Sequence, residues 1–594
     1  MGRQETFGFI LIAAVLMAWM WFTSPQRQTP PPEPPAAETA VQRDAAPSSL
    51  PAAPAVTAAP VPVAAADTLG RYFAGTDSGT ERTITVETDR YIAELSTHGG
   101  TIVRWTLKGY STWDGGHPVQ LVNGRSDYSV LFTTTDGKII DTKHLFFQTS
   151  SVARRTLTGS DEATVEMVLT AREGRIVKTF TFRNGRYDFT SDIRFEGMQN
   201  VVANYEYQVL WEHGVKYTEF NSVDESNSAA AFTYGGGELK EVNASSVGDN
   251  PKEDPSGQTD WVAVRSKYFA AALLSEDRKA SGAYLEGTHT SAPDNGSVER
   301  YAVALKYPFK NTMMESAKLT VYLGPLEYST LESYGRGLHD IMSLGWSWIR
   351  PLTVYLFIPL FNILHSFIPN YGLVIIVFSL VIKLALHPLT RSSMRSMRNM
   401  QKLQPLMQEL REKYQNDPQT MNLQTMKLYK DYGVNPAGGC LPLLLQMPIL
   451  FALYSLFSSS IELRHAPFVW WITDLSTPDV LVPLPFSVPL LGNFISGLTL
   501  AMGITMYVQQ KQTVTDPTQK ALVWMMPLMM TVMFNHFPSG LNLYYFVFNI
   551  LSIGQQYYFN QSHKDEPLKK VPENKRKSGF MERLAKNMPK PPKR

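Results

Sequence analysis

Residues Val374 to Leu389 read VIIVFSLVIKLALHPL, an apolar run with a single charge, Lys383, about six residues before its end. Begun at Tyr371, the run approaches the ~20 apolar residues that a helix needs to cross a hydrocarbon core. An ionised side chain there costs from ~3 kcal/mol upward. Ser379 and His387 stand four residues to either side of Lys383, so one helix face is polar. Two readings of the lysine stand. It can snorkel ~9 Å to the headgroups, or it can line a watery cavity inside a bundle. Gln446, Thr505, Asn535, Asn549 and Ser552, with Tyr544 and Tyr545, sit in other apolar runs and supply such a cavity.

Working outward, further spans are expected at Gly439–Glu462, Pro485–Val508, Ala521–Phe537 and Gly540–Asn560. Phe7–Thr23, FGFILIAAVLMAWMWFT, reaches ~25 Å as a helix. It is longer than a usual signal core and lacks an A-x-A site beside it, which favours an uncleaved anchor over a cleaved signal peptide. Charge sets the topology. Arg391, Arg395, Arg398 and Lys402 lie within a dozen residues without an acid, Gln509–Lys520 carries Lys511 and Lys520 against Asp516, and the tail from His563 has eleven Lys/Arg against four Asp/Glu. The loop with Trp470, Trp471, Asp474 and Asp479 is not basic. The positive-inside rule then puts both termini and the basic loops in the cytoplasm. Parity makes Leu352–Ile368 interfacial rather than spanning, and Pro359 in its middle agrees. Glu332–Ile349 reads as an amphipathic helix.

Between anchor and bundle the composition changes twice. Ser24–Asp67 holds eleven Pro and thirteen Ala and is expected to be an extended linker. From Leu69 to about Leu323 short alternating runs rich in Val, Ile, Thr and Tyr follow, such as Thr83–Thr88, Tyr91–Leu95, Thr101–Leu107, Ile176–Arg183, Val201–Leu210 and Lys318–Leu323. Turns at His98-Gly99-Gly100, Asn184-Gly185 and Gly235-Gly236-Gly237 separate them, which predicts a large β-sandwich. After the second span, Ser392–Tyr432 reads as two helices broken at Asn416-Asp417-Pro418. Met400, Leu403, Met407 and Leu410 form an apolar stripe on the first. The methionines either pack the hairpin together or offer an adaptable surface to apolar clients. The expected boundaries are therefore 1–6 cytoplasmic, 7–23 first span, 24–67 linker, 68–330 β-sandwich, 331–369 interfacial helices, 370–389 second span and 390–432 hairpin. They continue as 439–462 third span, 463–484 external loop, 485–508 fourth span, 509–520 loop, 521–537 fifth span, 540–560 sixth span and 561–594 tail.

Composition excludes several classes. The chain has 594 residues, a net charge of +2 and one cysteine, Cys440, so no intramolecular disulfide forms. No Cys/His zinc cluster, nucleophile elbow, P-loop or HExxH motif occurs, and neither an enzyme activity nor a metal, cofactor or small-molecule substrate is expected. A proton-coupled transporter would want an intramembrane acid, and none lies between Lys383 and Asn560 except in loops or at span ends. A carbohydrate enzyme on a membrane anchor is a third reading, resting on tryptophans and acids of the β-region.

Several motifs together resemble the YidC/Oxa/Alb family of membrane protein insertases. They are Asn435-Pro-Ala-Gly-Gly-Cys-Leu-Pro-Leu-Leu-Leu-Gln-Met-Pro-Ile449, Lys383-Leu-Ala-Leu-His-Pro-Leu-Thr390, Leu403-Gln-Pro405, Phe537-Pro-Ser-Gly-Leu541 and Leu543-Tyr-Tyr545. The anchor and β-region are similar to the Gram-negative type by architecture. The resemblance implies a polytopic α-helical membrane protein of six spans, five forming an insertase core, with a periplasmic supersandwich. It implies insertion, folding and assembly of inner-membrane proteins, alone or with the Sec translocon, through a hydrophilic groove open to cytoplasm and lipid. Groove contacts with the client fall on Lys383, Ser379, His387, Gln446, Tyr545 and Asn549, and hairpin contacts on Arg391, Arg395, Arg398, Met400 and Met407. Implied partners are nascent membrane proteins, the lipid bilayer, the Sec translocon and, through the basic tail, the ribosome. Many bacterial members carry arginine where this chain has Lys383, so the charge is kept and the bidentate fork is lost.

Overall fold

The computed structural model describes residues 69–124, 127–293, 296–434, 441–514, 520–563 and 570–571. The expected anchor, the linker, Cys440, the loop residues 515–519 and nearly all of the basic tail lie outside the described residues. The chain divides into two compact units, one ending at Gly324 and one beginning at Pro325.

The first unit is β-rich and sandwich-like. A five-stranded sheet runs Pro118–Gln120, Thr101–Ser111, Tyr91–Ser96, Thr83–Glu87, Arg154–Thr156, antiparallel except for its last pair. The second sheet has 14 strands, with Gly296–Pro308 and Ala280–Ala292 as its longest hairpin. Alternation builds the core. In Glu162–Thr170 every second residue, from Ala163 to Leu169, is buried. The hairpin Arg175–Arg183/Asp188–Glu196 turns at Asn184-Gly185, where Gly185 has φ 82°, a conformation open to glycine without strain. Each expected β run lies on a strand, and Tyr91 stacks on Trp105 at 3.7 Å between ring centroids.

The second unit is helical. The expected helix over Glu332–Ile349 is not formed. A short helix, Tyr328–Ser333, and a 3₁₀ turn, Leu338–Ile341, are separated by Gly335, Arg336 and Gly337, all at positive φ, and Gly345 breaks the chain again. A π turn at Thr353–Phe357 leads without a break into α1 (Ile358–Phe367), and Pro359 sits just past that turn in a helix continuous from Arg350. α2 (Tyr371–Lys413) has 43 residues, ~65 Å of helix, and runs unbroken through Pro388 and Pro405. The expected boundary at 389/390 is thus no break in the backbone. Asp417 caps α3 (Pro418–Asp431), taking the Thr420 N–H at 3.0 Å. α4 (Leu441–Ser459), α5 (Gly497–Thr513), α6 (Lys520–Phe534) and α7 (Ser539–Ser562) follow.

Two boundaries need correction. The span expected from Pro485 begins instead at Gly497. Residues Val482–Val488 and Gly492–Ile495 form a β-hairpin, because Pro483, Pro485 and Pro489 deny the helix its donors. The span expected to Phe537 ends at Phe534. Among the described residues one helix, α2, is long and apolar enough to cross a membrane by itself. α5 and α6 have 17 and 15 residues, and α7 carries Asn542, Asn549, Ser552, Gln555, Gln556 and Asn560. The count of six spans is therefore not established by helix length and hydropathy. α7 is the central helix, packing on α2, α4 and α5.

Candidate functional site

Lys383 is only 8% exposed, on the face of α2 that meets α7. Its ammonium donates to Ser552 Oγ at 2.5 Å and lies 4.2 Å from the centroid of the Phe548 ring. The Ser552 hydroxyl in turn donates to Phe548 O at 2.7 Å. A cavity of about 70 Å³ opens beside the lysine. Its polar walls are Gln446 of α4, Gln509 and Thr513 of α5, Ser552 and Gln556 of α7, and Thr390 of α2. Leu386, Met394, Met397 and Phe548 supply the apolar part, and among the described residues no carboxylate lines it. The lysine is thus held by one hydroxyl and one aromatic face, with room left for a further polar group.

The other expected groove residues divide. Gln446 shares the cavity wall with Lys383. Tyr545 is buried against Phe534 and Tyr544, and its hydroxyl faces Gln446 without closing a regular hydrogen bond. Asn549 is buried one turn nearer the lysine and reaches Thr505 Oγ1 at 3.5 Å. Ser379 is fully buried, but its hydroxyl returns to Ile375 O at 2.7 Å. His387 lies outside the cavity, exposed and hydrogen-bonded to Gln555. Asn535 belongs to the opposite end of the bundle. It accepts from Ser496 N at 2.9 Å and donates to Leu491 O and Phe494 O.

That opposite end is closed by a polar knot. Asp479, 4% exposed, accepts from Leu498 N at 2.9 Å, Trp471 Nε1 at 2.8 Å and Ser496 Oγ at 2.5 Å. A carboxylate against the first N–H groups of α5 suits the helix dipole. Asn542 of α7 donates to Thr499 Oγ1 at 2.9 Å, so α5 and α7 are tied there side chain to side chain. Among the described residues, none plugs the cavity at Lys383 in this way.

Gln556, Gln509 and Thr513 were not singled out from sequence. A signal existed: Tyr545, Asn549, Ser552 and Gln556 recur at steps of four, three and four, one polar stripe down α7. In the hairpin, Arg391 and Arg395 are exposed and Met400 is half-buried, whereas Arg398 is buried and donates to Phe559 O at 3.1 Å and to His563 O. Met407 is buried and accepts the Tyr429 hydroxyl at 3.3 Å. Arg398 and Met407 therefore hold α7 and α3 to α2, and the free surface of the hairpin lies elsewhere. In the β-unit, Trp105, Trp211 and Trp261 are fully buried core residues, which removes them as walls of a carbohydrate cleft.

Residues 363–566 match the family described as 60Kd inner membrane protein, and residues 83–358 match the YidC periplasmic domain. The chain is 40% identical over 578 residues to the membrane protein insertase YidC of Chlorobaculum parvum, covering 95% of this chain and 96% of that one. It is 39% identical over 576 residues to that of Chlorobaculum tepidum, with 95% and 96% covered. Among solved structures, an active YidC insertase with its first transmembrane domain resolved is similar at 19% identity and TM-score 0.36, over 81% of this chain and 93% of that one. The chain belongs to the YidC family of membrane protein insertases.

Proposed function

We propose that this chain inserts newly made membrane proteins by admitting a polar segment of the client to the cavity at Lys383. The observation that carries this reading is a buried ammonium with, among the described residues, one hydroxyl partner and no acid in its polar-walled cavity. A buried charge so poorly matched is costly to keep. It serves a site that takes a transient partner, here the acidic or polar flank of a client. Each charged residue at the bilayer centre costs roughly 2.5–3.5 kcal/mol on insertion scales. A polar recess inside the bundle shortens the apolar path and lowers that barrier. The client's apolar segment then partitions into lipid, which drives the step. This chain makes no bond and needs no nucleotide for it.

The topology proposed with it places the Lys383 cavity toward the cytoplasm, the Asp479 knot and the β-unit toward the periplasm, and both termini inside. The exposed arginines Arg391 and Arg395 receive the client at the hairpin. The Sec translocon is the proposed partner for multi-span clients, and the ribosome is that of the basic tail. Purified protein in liposomes is expected to insert a small single-span client. Photocrosslinkers at Gln446 and Tyr545 are expected to capture a stalled nascent chain, while lipid-facing Leu384 does not. Capture from Leu384 alone removes the groove mechanism, and solute uptake without client insertion favours a transporter.

A further inference from the structure

A second cavity, of about 300 Å³, lies between α1, the start of α2 and the segment after α4. That volume is at the lower end of the ~300–1,000 Å³ of small-molecule sites. Two carboxylates, Glu327 and Glu462, line it, and among the described residues no lysine or arginine does. Glu327 takes the hydroxyls of Ser329 at 2.9 Å and Thr330 at 2.8 Å. Glu462 stands in a 3₁₀ turn beside Ser460 and has no ion pair among the described residues. The remaining wall is aromatic. Phe361 and His365 both stack on Tyr371, at 5.8 and 4.0 Å, and His365 Nδ1 is buried without a partner among the described residues.

We infer that this cavity binds the ammonium group of a zwitterionic phospholipid headgroup. Carboxylates beside aromatic faces attract an ammonium by charge and by the ring quadrupole, and they repel an anionic headgroup. A metal ion is a poorer occupant, since no group of three acidic or histidine ligands is gathered among the described residues. Lipid is favoured over a soluble amine by the surroundings. Trp346, Trp348, Tyr355 and Phe367 are all exposed on the elements that frame the cavity, and Trp470 is exposed in the loop beyond Glu462. Such a belt marks the level of the headgroups. This site rests on the membrane-facing reading of α1, not on the Lys383 mechanism.

The test uses the full chain in vesicles of equal phosphatidylethanolamine and phosphatidylglycerol, with retained lipid counted by native mass spectrometry after extraction. Retention of phosphatidylethanolamine over phosphatidylglycerol by about fivefold or more is expected, falling to parity in Glu462→Gln. Asn362→Trp, which narrows the cavity without touching a carboxylate, is expected to do the same. Client insertion is measured in the same vesicles. Lys383→Gln is expected to lower insertion and leave phosphatidylethanolamine retention unchanged, so the two sites fail separately. Equal retention of both lipids by the unaltered chain, or a preference untouched by Glu462→Gln and Asn362→Trp, overturns the site. Protection from melting by soluble glycerophosphoethanolamine, without lipid preference, overturns lipid as its source.

Discussion

Lys383 and Lys178 are two buried amines with opposite surroundings. Lys383 has one hydroxyl and open space, so its charge is the property that matters. Lys383→Arg is expected to keep client insertion within about threefold of the unaltered chain, whereas Lys383→Glu reduces it tenfold or more in proteoliposomes. Loss in both variants would mean that the lysine's shape, not its charge, is used. Lys178, in the β-unit, donates to Gly99 O, Gly100 O and Thr142 Oγ1 at 3.0–3.1 Å, and burial pushes its amine down to about 7. Above pH 7 the folded chain releases a proton that the unfolded chain keeps until its ordinary value of 10.5. Stability of the β-unit therefore rises with pH across that window, and the burial penalty is fully present below it. Hydrogen exchange of strand Arg175–Arg183, corrected for intrinsic rates, is expected to slow from pH 7 to pH 9. Lys178→Met flattens that trend. Lys383 was legible because one charge in an apolar run stands out. Its bond to Ser552 was not, because α2 and α7 meet across 169 positions of sequence.

At the scale of the element, α5 shows how a helix start is fixed by residues far from it. Ser496 caps it locally, accepting Thr499 N at 3.1 Å, and Asp479 reaches in from seventeen residues upstream of Ser496. Ser496→Ala loses a cap worth about 1 kcal/mol. Asp479→Ala leaves buried donors on Leu498 and Ser496, at about 1–3 kcal/mol each, and also frees the half-exposed Trp471 Nε1. The larger loss is expected for Asp479→Ala, read as thermal stability in detergent. If Ser496→Ala were the worse of the two, the knot would not hold the helix. The apolar run from Pro485 reads as part of a span because hydropathy does not see a hairpin. Three prolines carried the opposite signal. Asn535 was placed in the groove for a related reason. Sequence put it on an apolar helix, but its depth follows from α6 ending at Phe534.

For the whole molecule, the break between Gly324 and Pro325 separates the β-unit from every residue of the Lys383 cavity. Deleting Asp77–Leu323 is expected to leave most insertion of a single-span client in a depletion strain. Loss of all activity would assign the β-unit an essential part. The strands of this unit were legible because alternation and glycine turns are local signals. The order of its 14-stranded sheet was not, since it pairs strands distant in sequence. The helical unit was legible where apolar runs were long and misread between Glu332 and Ile349, where glycines at positive φ override a helical pattern.

α2 carries Lys383 about a third of the way along and Met407 near its end, on one continuous helix. Pro388 and Pro405 lie between the lysine and the tip, and each removes a backbone donor, so the helix bends most easily there. The proposed client site at the lysine and the tip of the hairpin therefore share one helix with two softened turns between them.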